Sequence, residues 1–118
     1  MKLEHFLTRL DSDPTSIDFE DTIKLIDSHY NFTPTAFHNG ELHNTAEQNQ
    51  GSCKLLAFAS LQQLNPAQTL ACFGRYYRDE VLGQPDASNH QNIRNFMQTG
   101  WDGVQFEYPP LSPKAAQQ

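Results

Sequence analysis

Cysteine is nearly missing from this chain, with two in 118 residues. So few thiols exclude a disulfide-stapled scaffold and fit a reducing compartment. No apolar run approaches the roughly 18 residues that cross a membrane. A basic start followed by an apolar stretch and a small-residue cleavage site is also absent, so no secretory signal peptide is expected. Positive charge is scarce: 8 Lys and Arg stand against 14 Asp and Glu, for a net charge of −6. With no basic cluster to offset it, neither nucleic acid nor a membrane is expected as a partner. GxSxG, GxxxxGK[ST], CxxC, HExxH and GxGxxG do not occur, which withdraws support from the enzyme classes they announce.

Apolar residues are concentrated in Ser52–Leu64, SCKLLAFASLQQL. At about 100° per residue, Cys53, Leu56, Ala57, Leu61 and Leu64 cover one half of a helix, and Leu55, Phe58 and Ala59 reach into the other. A helix apolar nearly all round is a buried central one. Ser52 is the expected N-cap, its hydroxyl accepting from a first-turn N–H. Immediately before it runs a polar, amide-rich stretch, 39–51, in which Asn44 and Asn49 are expected to serve the start of that helix.

Around this centre the spacing predicts an α+β domain of about five helices with a small antiparallel sheet. Leu3, Phe6, Leu7 and Leu10 mark a first amphipathic helix. A second runs from about Asp18, its N-cap, to Tyr30. Asn39-Gly40 is a two-residue hairpin turn signal, pairing His38 with Glu41 and Phe37 with Leu42. Phe37 and Asn44 then lie on the core face, and His38, Glu41 and His43 on the other. Asn65-Pro66-Ala67-Gln68 starts a helix expected to continue to about Leu82. Asn89–Gln98 forms a shorter helix, and 104–107 a strand beside the hairpin. The domain is read as 1–108, followed by a Pro-rich tail, 109–118.

Each side chain that could carry chemistry also has a plainer reading. Cys53, in the first turn of the central helix, is placed where the dipole lowers a thiol pKa, yet a buried cysteine is commonly a small hydrophobe. His38, Glu41 and His43 offer zinc-type ligands, but their spacing matches no metal motif, so no metal and no cofactor are expected. Lys54, Arg75, Arg78 and Arg94 could gather round an anion, or form surface ion pairs. Tyr76 and His90 suit a binding cleft or an ordinary surface equally. The ligand-binding candidates are therefore His38, Asn44, Asn49, Lys54, Tyr76, His90 and Arg94, with no catalytic residue assigned.

Tyr30, Phe32–Phe37, Asn39-Gly40, Asn49–Lys54, Cys72–Arg78, His90–Phe96 and Gly100-Trp101, in that order, carry a further signal. Through them the chain resembles the HopJ type III effector family. The resemblance implies a bacterial protein without an assigned reaction, some relatives being injected into host cells. An opening amphipathic helix without Ser or Pro in 1–10 points instead to a cytoplasmic resident. The expected function is a small non-catalytic binding or interaction domain, monomeric or weakly dimeric, taking a small anionic ligand or a protein partner. The alternative is a small-molecule enzyme using Cys53 with a histidine such as His38 or His90.

Overall fold

Twelve short elements surround one buried helix in the computed structural model, which describes residues 2–114. Helix α1, Leu3–Ser12, buries Phe6 and Leu10. Helix α2, Phe19–His29, begins with a capping box in which Asp18 and Asp21 exchange side-chain and backbone bonds. This satisfies first-turn donors and places carboxylates at the positive end of the helix dipole. Strand β1, Tyr30–Phe32, follows directly. Strands β2, Phe37–Asn39, and β3, Leu42–Asn44, make the hairpin.

Helix α3, Gln50–Leu61, is the central one. Cys53 and Leu55 through Ala59 are all buried, with Leu55, Leu56, Phe58 and Ala59 fully inaccessible. Only its end departs from the all-round pattern, since Leu61 is 54% exposed. Phe58 meets Phe6 and Tyr30 edge-on, which clamps α1 and the start of β1 onto α3.

Helix α4, Pro66–Ala71, opens on the Asn65–Gln68 capping box but is only six residues long. The single helix expected to Leu82 is broken at Gly74, whose φ is +63°. The reason is a close approach: a Cβ there would lie 2.6 Å from Asp18 Cα and 2.7 Å from Phe19 N. Only glycine accepts both that backbone and that contact. Beyond it the chain runs as a π-helix, Tyr76–Val81, with Leu82 N–H bonded to Tyr77 O at 3.0 Å. Helix α5 spans Gln91–Thr99, and a single 3₁₀ turn leads into strand β4, Val104–Phe106.

The sheet has the order β3-β2-β4, all antiparallel. Its hairpin register differs from the one expected. Asn39 pairs with Leu42, His38 with His43 and Phe37 with Asn44, so the turn is Gly40-Glu41. Gly40 alone takes a positive φ there, +63°, as in turns with glycine at the first central position. Each partner moves by two residues, so the faces are retained and Phe37 and Asn44 stay buried.

The segment read as a Pro-rich tail from 109 is in part structural. Strand β5, Leu111–Pro113, pairs antiparallel with β1, and Pro110 and Leu111 are buried. Residues 115–118 of that tail lie outside the described residues.

Candidate functional site

Helices α3 and α5 begin beside one another, and a third wall comes from the start of α2 and the π-helix. Between them lies a cavity of about 510 Å³ lined on its apolar side by Phe19, Leu42, Phe73 and Ile93. Asn49, Ser52, Tyr76, His90, Gln91 and Asn92 supply the polar side. None of its lining residues is an Asp or Glu, although the chain holds 14 of them.

The two helix starts share an uncommon geometry. Their N-cap residues, Asn49 and His90, both sit in the left-handed region at φ 53°, and neither helix receives a side-chain cap. This corrects the expectation that Ser52 caps α3. The helix begins at Gln50, because Asn49 tolerates the left-handed conformation and its carbonyl accepts from Cys53 N–H at 3.0 Å. Ser52 is thereby moved into the first turn and onto the cavity wall. Gly51 is glycine for room, since a Cβ would approach Phe19 Cζ to 2.9 Å.

A network of asparagine amides holds the starts together. Asn44 Oδ1 accepts from Asn49 Nδ2 at 2.7 Å and from Asn92 Nδ2 at 3.1 Å. Asn44 Nδ2 donates to Asn92 Oδ1 at 3.2 Å. Asn39 Nδ2 donates to Asn92 Oδ1 at 3.1 Å and to the Asn92 carbonyl at 2.7 Å. Asn39, Asn44 and Asn92 are buried, and an amide can satisfy either kind of buried partner. The hairpin is thus bonded to the first turn of α5 and, through Asn49, to the cap of α3. Asn39 Oδ1 alone of these atoms is buried without a partner.

On the aromatic wall, Phe19 meets Tyr76 edge-on with ring centroids 5.4 Å apart, and Tyr76 stacks on His90 at 5.3 Å. His90 Nε2 lies 2.7 Å from Glu80 Oε1. That contact orients the imidazole at the cavity rim, on a residue held there by the π-helix, a distortion common at functional sites.

Of the seven candidates from the sequence, Asn49, Tyr76 and His90 line this cavity, and Asn44 stands one hydrogen bond behind Asn49. The other three lie elsewhere. His38 is on the exposed sheet face, stacked on His43. Lys54 pairs with Asp27 at 2.9 Å and lies over the Phe32 ring. Arg94 staples the preceding loop, donating to the Asn89 carbonyl at 2.6 Å, to Asn89 Oδ1 and to the Pro85 carbonyl. Arg75 likewise turns outward to Asp18 and Glu20, so the arginines do not converge.

Cys53 is 1% exposed and burial pushes its thiol up to about 11. A thiol so desolvated lacks the lowered pKa that marks an activated nucleophile. Cys72, deeper still, is pushed up to about 12.

A family model described as HopJ type III effector protein matches residues 3–111. The chain belongs to the HopJ type III effector family. A solved crystal structure of an unknown function protein, VPA0580, is 53% identical and superposes with a TM-score of 0.95, covering 97% of this chain and 95% of that one. No curated protein matches significantly. The HopJ match spans every wall of the cavity, from Phe19 to Ile93. No helix among the described residues is long and apolar enough to cross a membrane.

Proposed function

We propose that this HopJ-family chain is a small non-catalytic binding domain whose ligand is a small aromatic molecule bearing an anionic group. The observation that carries the reading is the make-up of the cavity: two helix starts without side-chain caps open into it, and no carboxylate lines it. Uncapped first-turn N–H groups and the positive ends of two helix dipoles favour an anion. Phe19, Phe73 and Tyr76 give the rest of the ligand an aromatic surface, in keeping with pockets that are mostly apolar with a few placed polar groups. His90, held by Glu80, adds a ring nitrogen at the rim. The domain acts as a monomer or weak dimer in the bacterial cytoplasm, where its two free, buried thiols stay reduced.

Calorimetric titration with phenyl phosphate, benzoate and inorganic phosphate tests this. The aromatic anions are expected to bind saturably and more tightly than inorganic phosphate, and Ser52→Glu, which places a resident carboxylate on the wall, is expected to abolish binding. Failure of both aromatic anions to bind, or undiminished binding by Ser52→Glu, would overturn the proposal.

A further inference from the structure

His38 and His43 stand apart from the cavity, on the face of the sheet turned to solvent. The pairing expected from the Asn-Gly signal opposes His38 to Glu41 and separates the two imidazoles. In the actual register they are directly opposite, and their rings stack with centroids 4.5 Å apart and planes 27° from parallel. β2 is the central strand of the three, so His38 is mounted on backbone bonded on both sides, with His43 beside it on the edge strand β3.

The surroundings suit a cation. Gln105 lies opposite His38 on the third strand. Glu107, whose N–H is fixed to the Ala36 carbonyl at 3.0 Å, occupies the diagonal position at the about 7–8 Å spacing of such neighbours. Together with Ala36 and Phe106 these side chains line a shallow cavity of about 320 Å³. The chain as a whole carries −6. No group of three or more His, Cys, Asp or Glu placed to hold a metal occurs among the described residues, so two imidazoles are what this face provides.

We propose that His38 and His43 form a two-imidazole site for a late first-row divalent ion, with water completing its coordination. Neutral imidazole suits zinc, nickel and copper, whereas magnesium and calcium prefer oxygen. Two nitrogens each about 2.0–2.1 Å from a tetrahedral ion are separated by about 3.3 Å. The rings are exposed and their centroids lie 4.5 Å apart, so the proposal asks for rotation about the two histidines' own side-chain bonds to bring a nitrogen of each to that spacing. The site involves no residue of the aromatic-anion cavity and stands or falls independently of it.

Calorimetric titration of the full chain with zinc chloride in a non-chelating buffer is the test. One ion per chain is expected to bind saturably, and magnesium chloride to give no saturable heat. His38→Gln and His43→Gln are each expected to weaken zinc binding at least about tenfold, since losing even an outer partner of a metal ligand costs about 10–100-fold. His5→Gln, an exposed histidine on α1, is expected to bind as the parent does. Metal-free melts of both hairpin variants should match the parent, because the side chains are exposed. Absence of saturable zinc binding, or parent-like binding by either hairpin variant, would overturn the proposal.

Discussion

Asn44→Ala is the perturbation that reads most directly on the amide network joining the hairpin to α3 and α5. Asn44 exchanges bonds with Asn92 in both directions and accepts a third from Asn49. Truncation leaves Asn92 Nδ2 without an acceptor on a residue only 4% exposed, while Asn92 Oδ1 keeps its bond from Asn39. One orphaned buried donor costs about 1–3 kcal/mol and a lost hydrogen bond about 1 more, so the expected loss is about 2–4 kcal/mol. Asn49→Ala should cost about 1 kcal/mol: its side chain makes one bond, and alanine tolerates the left-handed φ less well. Urea denaturation at constant m measures both. The cycle of Asn44→Ala with Asn92→Ala should show a double loss smaller than the sum of the singles, because the second truncation removes the group the first one orphaned. An Asn44→Ala midpoint equal to the parent's, or strictly additive losses, would refute the reasoning.

Three other outcomes are expected. Leu56→Ala, at a fully inaccessible position, should lose about 2–5 kcal/mol in the same denaturation assay; a loss of a few tenths would contradict the central place of α3. Asp18 accepts from Arg75 N–H, which holds its carboxyl below the ordinary range; its contribution is therefore present above the ordinary carboxylate pKa of about 3.9 and lost as pH falls through the lower folded value. The stability gap between parent and Asp18→Asn, which keeps a capping side chain, should close as urea midpoints are taken to acid pH. Cys53, pushed up to about 11, holds about a hundredfold less thiolate at neutral pH than an ordinary thiol, so a disulfide reagent should label the native chain only as fast as it opens, and promptly in urea.

Much of the architecture is legible in local chemistry. The Asp18 and Asn65 caps, the all-round apolar α3 and the third strand at 104 follow from side-chain type and spacing alone. What escapes the sequence depends on distant contacts. Gly74 reads as an ordinary helical glycine until Asp18 is packed against it, and the resulting break is what turns the Tyr76 segment into the cavity wall. The hairpin slips by two because Gly40, Glu41 and the Gly103 carbonyl, which accepts from Gly40 N–H, set the turn together. Asn39 reads as half of an Asn-Gly turn, yet it is fully buried and bonded to Asn92, 53 residues away. For the site, Asn49, Tyr76 and His90 are recognisable as an amide ahead of a helix, an amphipathic aromatic and an imidazole at the opening of the last helix. Ser52, Phe19 and Phe73 are not, since Ser52 reads as a cap and a phenylalanine at helical spacing is indistinguishable from ordinary core. Lys54 and Arg94 stand out by charge, but their partners, Asp27 and the 85–89 loop, become visible only in three dimensions.

The central claim is that the shared start of α3 and α5 is where the ligand sits, and backbone amide shifts on titration with phenyl phosphate locate it most directly. Saturable shifts concentrated at Gly51, Ser52, Gln91 and Asn92, with smaller ring-current changes at Phe19 and Tyr76, are the predicted result. Shifts centred instead on the exposed Arg75 or on the sheet face of His38 and His43, with those four amides unmoved, would contradict it.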